Sequence, residues 1–209
     1  MSYLQKFGII SKSATNKSAQ VFEYLIPDIF ATEFRGLSPS QFIAAGWHRY
    51  EVYPSRTNNL NGRIFEYLLA VTLVREEIFP FFMQAKVAFV PNVNYDILLY
   101  TNDNRPICIS AKTSLRERYK QAALEAFALK NVHRRAKSYL LTLDAKEAKR
   151  ESKKLITGDV LGLDAIVVAT SHDFDKVIET LKTLEFKTPE PVEVISASHV
   201  VTAHKIQRG

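Results

Sequence analysis

A single cysteine, Cys108, stands among 209 residues. It can form neither an internal disulfide nor a cysteine-cluster metal site, so any metal chemistry has to use oxygen ligands, which suit magnesium or a relative. Glycine is scarce, with seven residues. None of them builds a G-x-G-x-x-G or G-K-[ST] loop, and no nucleotide cofactor is expected. His48, His133, His172, His199 and His204 show no H-E-x-x-H or other close ligand spacing, and no serine lies in a G-x-S-x-G elbow. No run approaches the ~18 uncharged apolar residues of a spanning helix, and the opening MSYLQKFGIISKSATNKS lacks the apolar core of a secretory signal. A cytoplasmic protein without a membrane partner is expected. Internal repeats, low-complexity segments and Gly/Ser/Pro linkers are also missing. One domain over 1–209 is expected, with an N-terminal helical part (1–60), a core (61–143) and a C-terminal α/β extension (144–209).

What is present is uneven charge. The chain has 28 Lys and Arg against 22 Asp and Glu, a net charge of +6. Between Lys112 and Lys137 lie eight basic and two acidic residues, so this segment alone accounts for the whole excess. Such a run is either a solvated helix face or a phosphate-tracking surface.

Hydrophobic periodicity predicts an α/β fold with a mixed sheet. Two N-terminal helices are expected, one over Lys17 to Phe34 and one opened by Ser38-Pro39-Ser40 and reaching Arg49. A polar loop, Pro54 to Asn61, separates them from a helix over Arg63 to Phe79, capped by Asn61 and apolar around most of its girth. Three short strands should follow, Lys86 to Val90, Tyr95 to Thr101 and Pro106 to Lys112, as an antiparallel meander. A helix from Ser114 to about Arg135 and a strand from Ser138 to Leu143 complete the core. The extension reads as a helix (Ala145 to Leu155), a strand (Leu163 to Ala169), a helix (Phe174 to Leu184) and a strand near Val192 to Ser196. The aromatics Phe79, Phe81, Phe82, Phe89, Tyr95 and Tyr100 are spaced as core residues.

Alternation along the strands sets Asp96 opposite Tyr95, Ile97 and Leu99, and sets Ser110 and Lys112 on one face. Antiparallel pairing would bring Asp96 beside Ser110 and Lys112. Phosphodiester hydrolysis needs a carboxylate to hold a divalent cation and an ammonium to orient the attacking water. Taken singly, an Asp at a strand start is a turn or cap residue, a Lys at a strand end is simply exposed, and a Ser on an apolar strand is a small core hydroxyl. Their joint placement is what singles them out. Glu66 lies among apolar residues one turn into the core helix, where an unpaired carboxylate is costly. Glu76 and Glu77, near the expected helix end, read as exposed.

The helix–strand–strand–strand–helix–strand order, with Asp96 and Lys112 sixteen positions apart, resembles the PD-(D/E)XK nuclease superfamily. The resemblance is carried by Asn94-Tyr95-Asp96-Ile97-Leu98-Leu99 and Ile107-Cys108-Ile109-Ser110-Ala111-Lys112-Thr113-Ser114. The run Ser110 to Gln121 is also similar to the corresponding stretch of a group of type II restriction endonucleases. Similarity extends over about Arg63 to Leu143. It implies a restriction-endonuclease-like core with a central mixed β-sheet flanked by helices, plus N-terminal helices. The implied activity is Mg²⁺-dependent, sequence-specific cleavage of double-stranded DNA as part of a restriction-modification system, with Mn²⁺ able to substitute and a homodimer matching a palindromic site.

Ser110 departs from the pattern, because it stands where the superfamily usually has a second carboxylate. Some members with Ser there supply the acid from the following helix, and Glu125 lies thirteen positions after Lys112. At about 100° per residue, Ser114, Arg118, Gln121 and Glu125 share one stripe of that helix. Glu125 is then either an acid of the site or a solvated residue paired with Arg118 or Lys130. The superfamily also often contributes an acid from the helix that holds Glu66. The expected metal ligands are therefore Asp96, Glu66 or Glu125, and the carbonyl of Ala111. Arg56, Asn58 and Asn59 in the loop, and Ser114, Arg116, Arg118, Lys120 and Gln121 at the start of the basic helix, are expected to contact DNA. Two alternatives share the fold, a repair or junction-resolving nuclease and a catalytically dead DNA-binding module.

Overall fold

A computed structural model describes residues 2–11, 16–90 and 92–190. The strand expected near Val192 to Ser196, together with His199 and His204, lies outside the described residues. The first helices are α1 (Tyr3–Lys6), α2 (Lys17–Leu25), α3 (Pro39–Glu51) and α4 (Asn58–Arg75), with a 3-10 turn at Thr32–Phe34. Then come β1 (Phe81–Ala85), β2 (Tyr95–Tyr100), β3 (Pro106–Lys112), α5 (Arg118–Val132), β4 (Lys137–Thr142), α6 (Ala145–Thr157), β5 (Ala165–Val168) and α7 (His172–Lys182). The five strands form one mixed sheet in the order β1-β2-β3-β4-β5. Pairing is antiparallel from β1 to β3 and parallel from β3 to β5. Among the described residues no helix is long and apolar enough to cross a membrane.

The central strand β3 is buried at every position except Lys112. Both faces are covered, which is why it reads as a continuous apolar run rather than an alternating one. On one face Ile97, Leu99, Ile107, Ile109 and Ala111 join a core built with α2, α3, α4 and α7. On the other, Leu98 and Cys108 pack with Leu129 of α5, while Leu140 and Ile166 pack with Tyr119, Ala122 and Ala126 of α5 and Ala148 of α6. The result is three layers, with α4 buried along nearly its whole length between the sheet and the N-terminal helices.

Several boundaries differ from the sequence expectation, each for a local reason. The first long helix stops at Leu25 because Ile26 precedes Pro27, and a residue before proline is pushed out of the helical region. Helix α4 starts at Asn58, a little more than one turn earlier in the polar segment than its apolar pattern suggested: Thr57, not Asn61, caps it, its side chain accepting from the Leu60 amide at 3.2 Å. Asn58 and Asn59 are thus helical residues of its first turn rather than loop residues. The strand expected over Lys86 to Val90 is instead a turn segment, and the paired strand is Phe81–Ala85, where Phe81 and Met83 rest against the larger core. Phe89 takes φ 64° and is 60% exposed, and Phe79 is 55% exposed, so neither is a core residue. Helix α5 begins at Arg118 instead of Ser114, because Leu115 and Arg116 donate their amides to the carboxylate of Glu147 at 2.6 and 3.2 Å instead of entering the helix.

Asp164, just before β5, ties three elements together. Its carboxylate accepts from Lys130 of α5 at 2.8 Å, from Lys137 at 2.9 Å and from the Ser138 amide of β4 at 2.8 Å. Burial pushes this carboxyl up, but the two ammoniums and the amide prevail and hold it below the usual carboxylate range. A depressed folded value contributes stability that is present above the ordinary aspartate pKa and is lost as pH falls through the folded value. Asp164→Asn is expected to lower unfolding stability by about 2 kcal/mol at neutral pH. Urea titrations of the two proteins should converge as the pH is brought down through the folded value, which lies below the ordinary aspartate range.

Candidate active site

Antiparallel pairing of β2 with β3 places the start of β2 next to the end of β3. The ladder runs Leu98↔Cys108 and Ile97↔Ile109. Two positions beyond Ile109, the Ala111 amide donates to the Asp96 carboxylate, at 2.8 Å from Oδ2. The Lys112 ammonium meets the same oxygen at 2.9 Å. Both side chains are largely shielded, with 14% and 13% of their surfaces exposed for Lys112 and Asp96.

Glu66 approaches from α4. Its Oε2 accepts from Arg63 at 2.8 Å and from the Gln84 side-chain amide at 3.0 Å, and the same Gln84 nitrogen lies 3.5 Å from Asp96 Oδ1. Asn94, just ahead of β2, donates to Gln84 Oε1 at 2.9 Å. Burial pushes the Glu66 carboxyl above the usual glutamate range, and the nearby Asp96 charge adds to this against the opposing pull of Arg63 and Lys112. Glu125 of α5 sits farther round the strand ends. Its carboxylate accepts from Gln121 at 2.8 Å, and its backbone carbonyl accepts from the Tyr95 hydroxyl at 3.1 Å. It too is raised, first by burial, with Gln121 and Lys112 pulling it down and Asp96 pushing it up.

Tyr95 therefore points toward α5, away from the face of Ile97 and Leu99 that strict alternation assigned to it. Ser110 is buried, with its hydroxyl 4.0 Å from the Cys108 sulfur. It does not share the Asp96–Lys112 contact. Burial pushes the Cys108 thiol up to about 12, which makes it a packing residue. Glu76, expected to be exposed, is partly shielded and paired with Lys182 at 2.8 Å. Sequence periodicity passed over Arg63, Gln84 and Asn94. The only local signal for them was polarity, which surface residues share.

A cleft of about 530 Å³ opens beside Glu66, lined by Ser18, Asn58, Asn59, Gly62, Arg63 and Arg118. It joins the first turns of α4 and α5, so Asn58, Asn59 and Arg118 fall together with the acid. Arg56 is exposed in the loop before α4, Arg116 is exposed in the loop after Lys112, and Ser114 is partly buried in that same loop. Gln121 is exposed but engaged with Glu125. Much of the basic run is consumed internally: Lys120 pairs with Glu117, Lys130 and Lys137 with Asp164, and Arg135 with Asp103.

Among the described residues no three His, Cys, Asp or Glu side chains converge on a point fit for a metal ion. Two carboxylates nevertheless face the same neutral amide. Mg²⁺ is commonly held by one or two carboxylates, with waters and substrate phosphate oxygens completing its shell, so Asp96 and Glu66 form a donor set that fits it.

No family model and no curated protein matches the chain. Among solved structures, the Type IIP restriction endonuclease Kpn2I is similar to it with a TM-score of 0.49 and 12% sequence identity, over 87% of this chain and 68% of that one.

The electrostatics of Glu66 can be tested without a substrate. A raised folded value means that the fold favours the protonated acid, so stability is highest at low pH and is lost as pH rises through that value. Glu66→Gln, which keeps the shape and removes the charge, should raise the melting temperature of EDTA-treated protein at pH about 8, with the gain shrinking as pH falls toward the ordinary glutamate pKa. A Glu66→Gln protein that melts lower than the parent at every pH would contradict this.

Proposed function

We propose that the chain is a Mg²⁺-dependent nuclease that cleaves double-stranded DNA at specific sites, in the manner of a type II restriction endonuclease. The observation that supports this most strongly is the Lys112–Asp96 ion pair at the adjoining ends of β3 and β2, with Glu66 linked to Asp96 through Gln84. A carboxylate pair beside a shielded lysine meets the needs of phosphodiester hydrolysis. Asp96 and Glu66, with the Ala111 carbonyl, would hold the cation, which when bound supplies positive charge at the scissile phosphate and a more acidic water.

The remaining tasks fall to the protein's own side chains. Lys112 has its ammonium anchored beside Asp96, where it can hold the attacking water in line with the leaving oxygen and stabilise charge as it develops. Attack on phosphorus with departure of the 3′ oxygen, which takes up a proton, leaves a 5′-phosphate and a 3′-hydroxyl. Arg118 at the cleft and Arg116 in the exposed loop before α5 offer guanidinium groups for backbone phosphates, and Asn58, Asn59 and Arg56 present the amide and guanidinium groups that read adenine and guanine edges. A homodimer would apply two such surfaces to a palindrome.

Plasmid digestion followed by end sequencing tests the reading directly. Discrete fragments should appear with Mg²⁺ or Mn²⁺ and cease with EDTA; digestion that persists in EDTA would remove the proposal. Asp96→Ala and Lys112→Ala should each lower the cleavage rate by about 10²-fold or more while leaving binding to DNA. Glu66 lies within one amide of Asp96, whereas Glu125 is bonded to Gln121. Glu66→Ala should therefore resemble Asp96→Ala, and Glu125→Ala should keep cleavage within about tenfold of the parent, the reverse result assigning the second acid to α5.

Charge reversal separates free from consumed cations. Arg118→Glu should reduce the slope of log binding constant against log salt by about 1, because a lost phosphate contact removes roughly one released counterion. Lys120→Glu should change the slope less, because Glu117 already holds Lys120. Equal slopes for the two variants would place Arg118 on an ordinary solvated face.

A further inference from the structure

We infer that the Gln84 side-chain amide occupies the place between Glu66 and Asp96 that a divalent cation takes, and so sets the affinity of the site for the metal by competing with it. The inference rests on the metal-dependent nuclease reading.

The hydrogen bonds fix the amide's direction. Asn94 donates to Gln84 Oε1 at 2.9 Å, so the NH₂ end is the one turned to the carboxylates, 3.0 Å from Glu66 Oε2 and 3.5 Å from Asp96 Oδ1. Gln84 lies on β1 between the paired residues Met83↔Ile97 and Ala85↔Tyr95, across from Asp96, and takes φ 49°. A non-glycine residue persists in that left-handed region only when its surroundings hold it there.

The two oxygens of Asp96 are divided between tasks. Oδ2 is committed to the Ala111 amide and Lys112. Oδ1 is the one turned to Gln84, and it is the oxygen left for a cation. Glu66 Oε2 likewise meets Gln84 as well as Arg63. A neutral amide offers two carboxylates only the partial charges of its N–H groups, which is enough to relieve some of their repulsion. A divalent cation relieves far more, but it needs the same lone pairs. The long contact to Asp96 Oδ1 is the weaker of the two and the easier to break. An amide that turned its oxygen inward as a ligand would first have to give up the Asn94 hydrogen bond.

Mn²⁺ binding in the absence of DNA, followed by calorimetry and by electron paramagnetic resonance, tests this on the full chain. Gln84→Ala and the closer isostere Gln84→Met should each bind Mn²⁺ several-fold more tightly than the parent, and the EDTA-treated variants should melt at a lower temperature because the carboxylates lose the amide that bridges them. Asn94→Ala should shift affinity in the same direction by less. Unchanged or weaker Mn²⁺ binding in both Gln84 variants, with binding abolished by Asp96→Asn, would overturn the inference while leaving the metal site standing. If the parent shows no Mn²⁺ binding that depends on Asp96, the nuclease reading itself fails and the inference falls with it.

Discussion

The contact on which the candidate site depends is the shared oxygen of Asp96. One Oδ2 atom accepts both the Ala111 amide and the Lys112 ammonium, so a backbone donor and a charged side chain from the end of one strand are fastened to the beginning of the next. Charge-assisted hydrogen bonds of this length are among the stronger ones available to a protein, and shielding from water raises their weight. The arrangement requires β2 and β3 to be antiparallel, so that the start of one meets the end of the other. It also requires β3 to be central, because a strand covered on both faces keeps its terminal lysine largely shielded.

Around that contact the protein accepts an electrostatic cost. Glu66 and Glu125 are both held above the usual glutamate range by burial, and each feels the charge of Asp96. Arg63, Lys112, Gln84 and Gln121 offset part of the cost without removing it. Elsewhere the same fold resolves its buried charges more completely. Asp164 has two ammoniums and an amide, and the buried Glu151 lies between Arg150 and Lys154. Unresolved carboxylate charge is thus concentrated at the strand ends where the proposed chemistry would use it, as expected where pKa values are tuned for function.

The basic segment has a similar division. Its formal excess is large, yet intramolecular partners neutralise Lys120, Lys130, Lys137 and Arg135. Those pairs hold α5 and the turn before β4 in place. Arg116 and Arg118 face outward, and Arg118 shares the cleft beside Glu66 with the first turn of α4. A net charge read along the chain measures how strongly a polyanion is attracted from afar. Which of those charges can touch it depends on the pairs formed at home.

Periodicity and local chemistry were sufficient for much of the framework. The mixed α/β architecture, the strands Tyr95–Tyr100 and Pro106–Lys112, and the antiparallel approach of Asp96 to Lys112 follow from side-chain alternation and from turn residues between the strands, because these signals are written within a few neighbouring positions. Helix ends were legible only where a cap was unambiguous, as at Ser38, and not at Thr57 or Arg118, where a threonine cap among polar neighbours and a remote carboxylate from Glu147 decided the boundary. The first strand escaped detection because Phe81–Ala85 is only half-covered and gives no clean alternation. The neighbours of Asp96 are a different matter. That Glu66 approaches Asp96 from α4, that Gln84 bridges the two acids, and that Asn58, Asn59 and Arg118 border one cleft are consequences of how α4, β1 and α5 pack on the sheet. Residues as far apart as 66, 84 and 96 share no local pattern, so only the tertiary structure, through the burial of α4 against β2 and β3, decided that they meet.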